Sequence, residues 1–475
     1  MSHKSNLKKN IAYNLTFQIL NIIVPIFTAP YVFRILGKEG IGIYGYTFSI
    51  AHYFSLICML GILNYGNREI SMVSDDKEKR SRVFWQIYGI QFLAGLISIV
   101  SYLILVSCLK AEYNSVFLVQ GFVVLASMFD ICWFYFGMEN FRFTTMISMF
   151  NKILTTVLIF LLVKSSNHVF LYAAIISIGC FLNVIIYWAC LRKYVTFNKD
   201  YIKHFSVHLK PILILFIPVI AINIYKYIDK IMLGAMLSVN DVGTFEAAEK
   251  LENLPMCLIA TIGTVMLPRI SNKVANKQAE GINDYNKMTF LFVMSLTFGM
   301  AFGLAGIAEP FIPLFYGAGF EDSYQVLLWL LPSMVFVGWA NIIRTQYLLP
   351  NRKDSLFCGS VITGAVVNVI CNLILIPRFA AIGAAISTTI AELTVCLFQS
   401  VVANKDMGLW GVLKKVLPFM ILGGIMYFSI FKLTFNNAFV TIIVRIVLGC
   451  LVYGALCLCI YRKDAKSLLP KKLMR

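Results

Sequence analysis

The sequence predicts an all-α integral membrane protein, because of its apolar composition, the length of its apolar runs and the placement of its basic residues. Of its 475 residues, 59% are hydrophobic and 13% are charged, whereas soluble domains average roughly 45–50% and 25%. The apolar residues form runs longer than about 20 residues, enough to cross some 30 Å of hydrocarbon as a helix. Because hydrocarbon offers no water to backbone groups, each run is expected to be helical.

About fourteen transmembrane helices follow from these runs, and no external or cytoplasmic connection is long enough to hold a soluble catalytic domain. We therefore expect a protein that is not an enzyme. The predicted spans are 11–35, 41–66, 83–108, 114–137, 143–164, 168–191, 210–237, 243–268, 288–315, 324–349, 355–376, 382–403, 411–434 and 437–461.

The basic residues predict the topology. The formal net charge is +18, which in a soluble protein would suggest nucleic acid as a partner. With a cytoplasmic N-terminus, however, the inside segments hold about 29 Lys and Arg and the outside loops about six, as the positive-inside rule requires. We therefore expect both termini in the cytoplasm, at a bacterial cytoplasmic membrane, and no nucleic-acid partner.

The span count predicts two parallel six-helix lobes plus two extra C-terminal helices. Six spans precede the basic loop at 192–210, so the second half starts on the same side as the first, as parallel repeats do. Weak internal similarity supports a repeat, since Leu36-Gly37 and Gly42 in the first half resemble Leu233-Gly234 and Gly243 in the second. The predicted domains are 1–195 for the N-terminal lobe, 205–403 for the C-terminal lobe and 404–475 for the additional helices and basic tail.

Polar side chains lie along three spans at helical spacing, and such residues usually face a partner or a wet cavity. In the seventh span Lys226 and Lys230 are accompanied by Asp229, and in the eighth Glu246 and Lys250 form an i, i+4 pair. These rows of polar side chains are open to two interpretations. They line a cavity, or they form ion pairs that fix the register of neighbouring helices. Snorkelling to the outer surface is a further alternative for Lys226 and Lys230, of which Lys230 lies nearer the span end, and for Arg34 at the outer end of span 1. The further polar members are Asn14, Gln18, Asn21 and Thr28 in span 1, Asn223 and Tyr227 in span 7, and Glu249 and Asn253 in span 8.

Other titratable residues carry weaker signals. Glu392 lies near the middle of the twelfth span, where it is a candidate for ion or proton coupling or for a hydrogen-bonded packing role. Asp130 and Arg445 are interpreted as structural anchors near interfaces, and His52 as a packed histidine. The twelve Cys residues show no C-x-x-C pair and no Cys/His metal spacing, so we expect no metal site.

Three segments together resemble a known family. They read PIFTAPYVFRILGKEGIGIYG from Pro25 to Gly45, YIDKIMLGAMLSVNDVGTFEA from Tyr227 to Ala247, and NVICNLILIP from Asn368 to Pro377 followed by Gly383-Ala384-Ala385. Their order and spacing resemble the lipid-linked oligosaccharide flippases (Wzx type) of the multidrug/oligosaccharidyl-lipid/polysaccharide exporter superfamily.

That resemblance implies a transporter that flips undecaprenyl-diphosphate-linked oligosaccharide repeat units to the outer leaflet by alternating access, for capsule or O-antigen assembly. It implies membrane lipids, a polysaccharide polymerase and glycosyltransferases as partners. It implies no cofactor, with coupling to an H⁺ or Na⁺ gradient as an option. A peptidoglycan lipid-precursor flippase and a drug/cation antiporter of the same superfamily remain alternatives.

Physical chemistry assigns the candidate site residues for such a cargo. Sugar hydroxyls are costly to strip of water, and fixed cations compensate a diphosphate. The substrate-binding candidates are Arg34, Lys226, Lys230, Lys250, Asn14, Gln18, Asn21, Asn223 and Tyr227. The ion-coupling candidates are Asp229, Glu246, Glu249 and Glu392.

Overall fold

A computed structural model describes the backbone of residues 2–109, 112–203, 205–275 and 282–468. Side chains are described between residues 20 and 459, except at 21–22, 110–111, 202, 204, 221, 224–225, 264–265, 268–269 and 272–285. This part of the chain is helical and contains no β-strand, as the apolar runs predict. The α-helices are α1 (Ser2–Met59), α2 (Ile62–Met72), α3 (Lys77–Leu109), α4 (Asn114–Phe129), α5 (Cys132–Gly137), α6 (Phe141–Leu162), α7 (Val169–Leu191), α8 (Ser206–Met236), α9 (Val239–Ala275), α10 (Ile282–Tyr316), α11 (Ser323–Ile343), α12 (Asp354–Met407), α13 (Leu409–Ile430) and α14 (Ala438–Leu468).

Within the described residues, ten helical segments are long and apolar enough to cross a membrane. Their outward faces carry large apolar side chains that a soluble protein would bury, including Ile97 at 66% exposure and Val401 at 78%. Lipid is the environment in which such faces cost nothing. The protein is therefore a multi-pass membrane protein.

Two of the longest helices are broken in the middle. Gly37 in α1 has φ 67° and ψ −179°, and Ala380 in α12 has φ 50° and ψ −131°. Both breaks fall in short connections that the sequence predicts, at 36–40 and at 377–381. Gly37 adopts the left-handed value without the steric cost that a Cβ brings, whereas Ala380 bears that cost.

Two predicted spans, each within one of the ten apolar segments, contain a break in the helix. In the second, 41–66, Leu60 has φ 45° between α1 and α2, and the backbone of α8 packs so closely there that a Cβ on Gly61 would lie 2.4 Å from the Ile212 carbonyl oxygen. The fourth, 114–137, is interrupted at Asp130 and Ile131, which separate α4 from α5. Apolar run length reveals neither break, because both stretches lie in segments whose mean hydropathy suits a membrane span.

The chain divides into two compact units, residues 1–243 and 244–475. In the first unit α1 packs on α3, α4, α6 and α8, and α4 packs on α7. An aromatic core that includes Phe84, Trp133 and Phe134 fills its centre. In the second unit α10 packs on α11, α13 and α14, while α11 packs on α12. The lobe boundaries 1–195, 205–403 and 404–475 stay a prediction.

A still closer approach of two backbones in the first unit lies between the start of the second half of α1 and the start of α9. A Cβ on Gly42 would lie 1.7 Å from the Val239 carbonyl oxygen, and one on Gly243 would lie 2.1 Å from the Lys38 carbonyl oxygen. Only glycine fits at either position. The two glycines that the sequence comparison of the halves pairs with each other are thus in mutual contact.

Candidate functional site

A polar and aromatic cluster lies between α1 and α8 in the first unit. The ring centroids of His52 and Tyr227 are 4.3 Å apart, and those of Tyr53 and Tyr227 are 6.5 Å apart. The Tyr53 hydroxyl donates to the Asn223 carbonyl oxygen at 3.4 Å, and His52 forms a side-chain hydrogen bond with Asn223. We call His52, Tyr53, Asn223 and Tyr227 the aromatic cluster. The i, i+4 spacing of 223 and 227 puts both on the face of α8 that meets α1.

Two lysines lie beside the aromatic cluster. Lys226 is exposed, and Lys230 is only 7% exposed, with its ammonium 5.8 Å from the centroid of the Tyr227 ring. Both lie within electrostatic range of His52. The option that Lys230 snorkels to the surface is therefore wrong, because an aromatic ring and burial hold its ammonium inside. Fixed positive charge beside aromatic rings suits a ligand that combines a phosphate with a sugar face.

Asp229 points into the same unit and is 2% exposed. It is close enough to Tyr53 to interact with it electrostatically. A carboxylate and two ammonium groups on adjacent turns of one helix leave a net positive charge there. The sequence predicts Asp229 as an ion-coupling candidate, and that role stays a prediction.

The remaining first-unit candidates are not brought into the aromatic cluster by any described contact. Arg34 is exposed on α1, three residues before the break at Gly37. Thr28, on the first half of α1, donates its hydroxyl to the Val24 carbonyl oxygen at 3.0 Å. The side chains of Asn14, Gln18 and Asn21 lie outside the described residues.

The second unit carries an acidic cluster, which we define as Glu246, Glu249 and Glu252 on α9 together with Glu392 on α12. Glu246 accepts from the Lys250 ammonium at 3.4 Å, so the predicted i, i+4 pair is formed. Glu392 on α12 is 8% exposed and lies near Glu252. This arrangement brings together three of the four ion-coupling candidates around one patch of α9.

Glu252 is the site residue that the sequence analysis missed. It is 8% exposed, its carboxylate accepts from the Ser333 hydroxyl on α11, and it lies near Glu249 and Glu392. The signal was its position three residues after Glu249, on the same helical face. Buried carboxyl groups that interact with one another disfavour simultaneous ionisation, and such a group is suited to bind a proton or a cation.

Within the described residues, no group of His, Cys, Asp and Glu has a geometry that could hold a metal ion.

Comparison with known proteins identifies relatives over nearly the whole chain. Residues 7–273 match the family model described as "Polysaccharide biosynthesis protein", and residues 230–449 match that of "Lipid II flippase MurJ". The "Putative O-antigen transporter" of Escherichia coli (strain K12) is 24% identical over 405 residues, which cover 84% of this chain and 96% of that protein. The protein of the same name from Shigella dysenteriae is 25% identical over 408 residues, covering 83% and 99%.

Solved structures share the fold at low identity. A structure of "Lipid II flippase MurJ, inward closed conformation" superposes with a TM-score of 0.75 at 19% identity, covering 96% of this chain and 99% of that chain. An inward-facing multidrug resistance MATE family transporter gives a TM-score of 0.57 at 14% identity, covering 83% and 99%. The family match spans more than half of the sequence, and the fold agrees with it. The chain belongs to the polysaccharide biosynthesis protein family, as a Wzx-type member of the multidrug/oligosaccharidyl-lipid/polysaccharide exporter superfamily.

Proposed function

We propose that the protein flips undecaprenyl-diphosphate-linked oligosaccharide repeat units from the cytoplasmic to the outer leaflet of a bacterial cytoplasmic membrane, for capsule or O-antigen assembly. The observation that carries the proposal is the pair Lys226 and Lys230 beside the aromatic cluster, in a chain whose full-length relatives bear the name of O-antigen transporters. The lysines meet the diphosphate, and the rings and amides meet the first sugars.

The cation pair supports an anionic cargo over a neutral one. Lys230 is only 7% exposed, and a buried ammonium is stabilised by nearby negative charge. Lys226 and Lys230 carry two positive charges against the one negative charge of Asp229 on the same helix, and a diphosphate complements such a net positive charge. The lipid tail needs no binding site, because it can stay in the bilayer while the head group moves.

The topology that we propose has fourteen spans and both termini in the cytoplasm. Dividing the two broken helices at Gly37 and Ala380 turns the ten apolar segments into twelve. The charged helices α8 and α9, which are not among the ten, supply the other two. Two six-helix lobes then alternate access to the site, and α13 and α14 are additions.

For the driving force we propose coupling to an H⁺ or Na⁺ gradient through the acidic cluster and Asp229. Support comes from the burial of Glu246, Glu252 and Glu392 and from the crowding of carboxyl groups around Glu252. The partners that we propose are the lipid-linked substrate, membrane lipids, and the polymerase and glycosyltransferases that use or make it.

A second candidate cargo is the peptidoglycan lipid precursor, which also carries a diphosphate and sugars. The match of residues 230–449 to the MurJ model and the TM-score of 0.75 to a MurJ structure favour it. The diphosphates of both cargoes need the same cations on the protein, so only the sugar portion distinguishes the two cargoes.

The test is complementation in two bacterial strains, one lacking its O-antigen flippase and one depleted of its lipid II flippase. We expect the wild-type protein to restore surface polysaccharide in the first strain when its cognate glycosyltransferases are present. Growth rescue of the second strain alone would favour the precursor cargo.

The site is tested in the same strain with Lys226→Gln combined with Lys230→Gln. Surface polysaccharide is expected to fall at least about tenfold, since each lost charge-assisted contact is worth roughly 1.5–3 kcal/mol. The matched control is Lys414→Gln with Lys415→Gln, which removes the same charge from exposed positions on α13. Unchanged export at matched protein level in the Lys226/Lys230 variant would contradict the assignment of the site.

A further inference from the structure

A cavity lies inside the first unit, among α4, α5, α6 and α7. Its volume is about 430 Å³, and its walls include the side chains of Asp130, Thr144, Asn183 and Tyr187. None of its lining residues belongs to the aromatic cluster or to the lysine pair. Nothing in the flippase mechanism proposed above uses this cavity.

The cavity opens at the break between α4 and α5, and the break is stabilised by specific donors. The Gln91 amide, which is 0% exposed, donates to the carbonyl oxygens of Ser127 at 2.9 Å and Asp130 at 2.7 Å. The Trp188 indole donates to the Phe129 carbonyl oxygen at 2.8 Å. Broken backbone is tolerated at membrane depth where it is buried in protein or lines a cavity. In transporters such breaks often form ligand sites.

The break aims a carboxylate into this space. Asp130 accepts from the Cys132 backbone N–H at 2.8 Å, which fixes the side chain on the cavity wall. The described residues that line the cavity include no Lys and no Arg. A carboxylate in an apolar span is stabilised by a cationic partner, and the described lining of the cavity supplies none.

A second acceptor faces the same space. The Asn183 Oδ1 atom is buried and has no hydrogen-bond partner among the described residues, which is costly for an amide oxygen. The hydroxyls of Thr144 and Thr145 lie on the same wall, and the Phe136 and Tyr187 rings border it. An ammonium group can donate to both the Asp130 carboxylate and the Asn183 oxygen, so the cavity suits a cation that carries N–H donors.

Size and chemistry select the class of cation. A volume of about 430 Å³ falls in the range of small-molecule sites, roughly 300–1,000 Å³, and is many times the share of one water, about 30 Å³. A primary ammonium has three N–H donors, which a carboxylate, an amide oxygen and a hydroxyl can accept. A quaternary ammonium has none and would leave Asn183 unpaired.

We propose that this cavity binds the primary ammonium group of an organic amine, with Asp130 and Asn183 as its hydrogen-bond acceptors. The same group is offered by an ethanolamine lipid head group from the bilayer and by a free diamine from the cytoplasm. Such a ligand would neutralise Asp130 and brace the break between α4 and α5.

The test uses the purified full-length protein and two probes. In the lipid arm, native mass spectrometry counts phosphatidylethanolamine retained from micelles that hold equal phosphatidylethanolamine and phosphatidylglycerol. In the free-amine arm, the rise in Tm is titrated with putrescine, and tetramethylammonium serves as a cation without N–H donors. Saturable binding in the first arm identifies a lipid source, and saturable binding in the second identifies a soluble one.

Asp130→Asn keeps the acceptor for the Cys132 N–H and removes the charge, and Asn183→Leu removes the second acceptor at similar volume. Each is expected to weaken binding about 10- to 100-fold, as loss of a charge-assisted hydrogen bond does. Asp200→Asn, on the exposed cytoplasmic loop, is the matched control and should leave binding unchanged. If the Asp130→Asn variant does not fold, the amine binding measured for the Asn183→Leu variant tests the proposal.

Three results would overturn the proposal. One is the absence of binding by the wild-type protein in both arms. Another is equal binding by the wild-type protein and by the folded variants. The third is a Tm rise with tetramethylammonium as large as with putrescine, which would show that N–H donors are not recognised.

Discussion

Replacement of Gly42 by alanine probes the close approach between α1 and the start of α9. The new Cβ would lie 1.7 Å from the Val239 carbonyl oxygen and 2.6 Å from its carbonyl carbon, where ordinary contact begins at 3.4 Å. These are backbone atoms, which cannot rotate aside, so the two segments must separate by roughly 1.7 Å. Overpacking of this kind costs about 1–3 kcal/mol, and alanine returns about 0.5–1 kcal/mol through its helix preference.

We therefore expect a net destabilisation of about 1 kcal/mol for Gly42→Ala. For a unit of 243 residues this corresponds to a Tm lower by about 2–4 °C. The assay is thermal unfolding in detergent with a thiol-reactive dye, because Cys58 and Cys396 are buried in the native protein. The control is Gly424→Ala on α13, where a Cβ meets nothing within 4 Å and a small rise in Tm is expected. An unchanged or raised Tm for Gly42→Ala would refute the packing argument.

Three further variants test hydrogen bonds on the same assay. Gln91→Leu removes the donor to the Ser127 and Asp130 carbonyl oxygens and should cost about 1–3 kcal/mol of stability for each. A Tm within about 1 °C of wild type would contradict this. Arg445→Leu removes a buried guanidinium that donates to the Leu433 and Gly306 carbonyl oxygens, and it should lower Tm. The control Arg378→Leu, at an exposed site, should not. Asp76→Ala removes an acceptor for two backbone N–H groups at the start of α3. Because those bonds to the carboxylate hold the Asp76 pKa below 3.8, its contribution is present above that value and is lost as the pH falls through the lowered pKa. The difference in Tm between wild type and Asp76→Ala should thus be the same at pH 7 and at pH 5. A smaller difference at pH 5 would contradict this prediction.

The helical fold was predictable because a backbone that crosses lipid has to satisfy its own hydrogen bonds, which a helix does. The length of the apolar runs shows directly which segments cross. The breaks at Gly37 and Ala380 also lie where turns were expected. The breaks at Leu60 and Asp130 were not predictable, because both depend on residues far along the chain. Gly61 meets the backbone of α8, and Gln91 satisfies the carbonyls at Asp130.

The sequence predicted how the candidate site residues are spaced along each helix, but not which residues of other helices they contact. Helical periodicity placed Asn223 and Tyr227 on one face, and the structure packs that face against α1. Periodicity could not show that Lys230 is buried while Lys226 is exposed, because burial depends on the neighbouring helix. Glu252 was missed for the same reason, since its partner Ser333 lies 81 residues away.

The most direct test of the central claim is a flipping assay with the purified protein in proteoliposomes. The substrate is a fluorescent undecaprenyl-diphosphate oligosaccharide, and the readout is the fraction that a membrane-impermeant quencher or glycosidase can reach over time. The account predicts that wild-type protein accelerates transfer between leaflets, that the Lys226→Gln, Lys230→Gln variant does so at least about tenfold more slowly, and that the Lys414→Gln, Lys415→Gln variant matches wild type. Transfer no faster than in protein-free liposomes, or equal rates in both double variants, would contradict it.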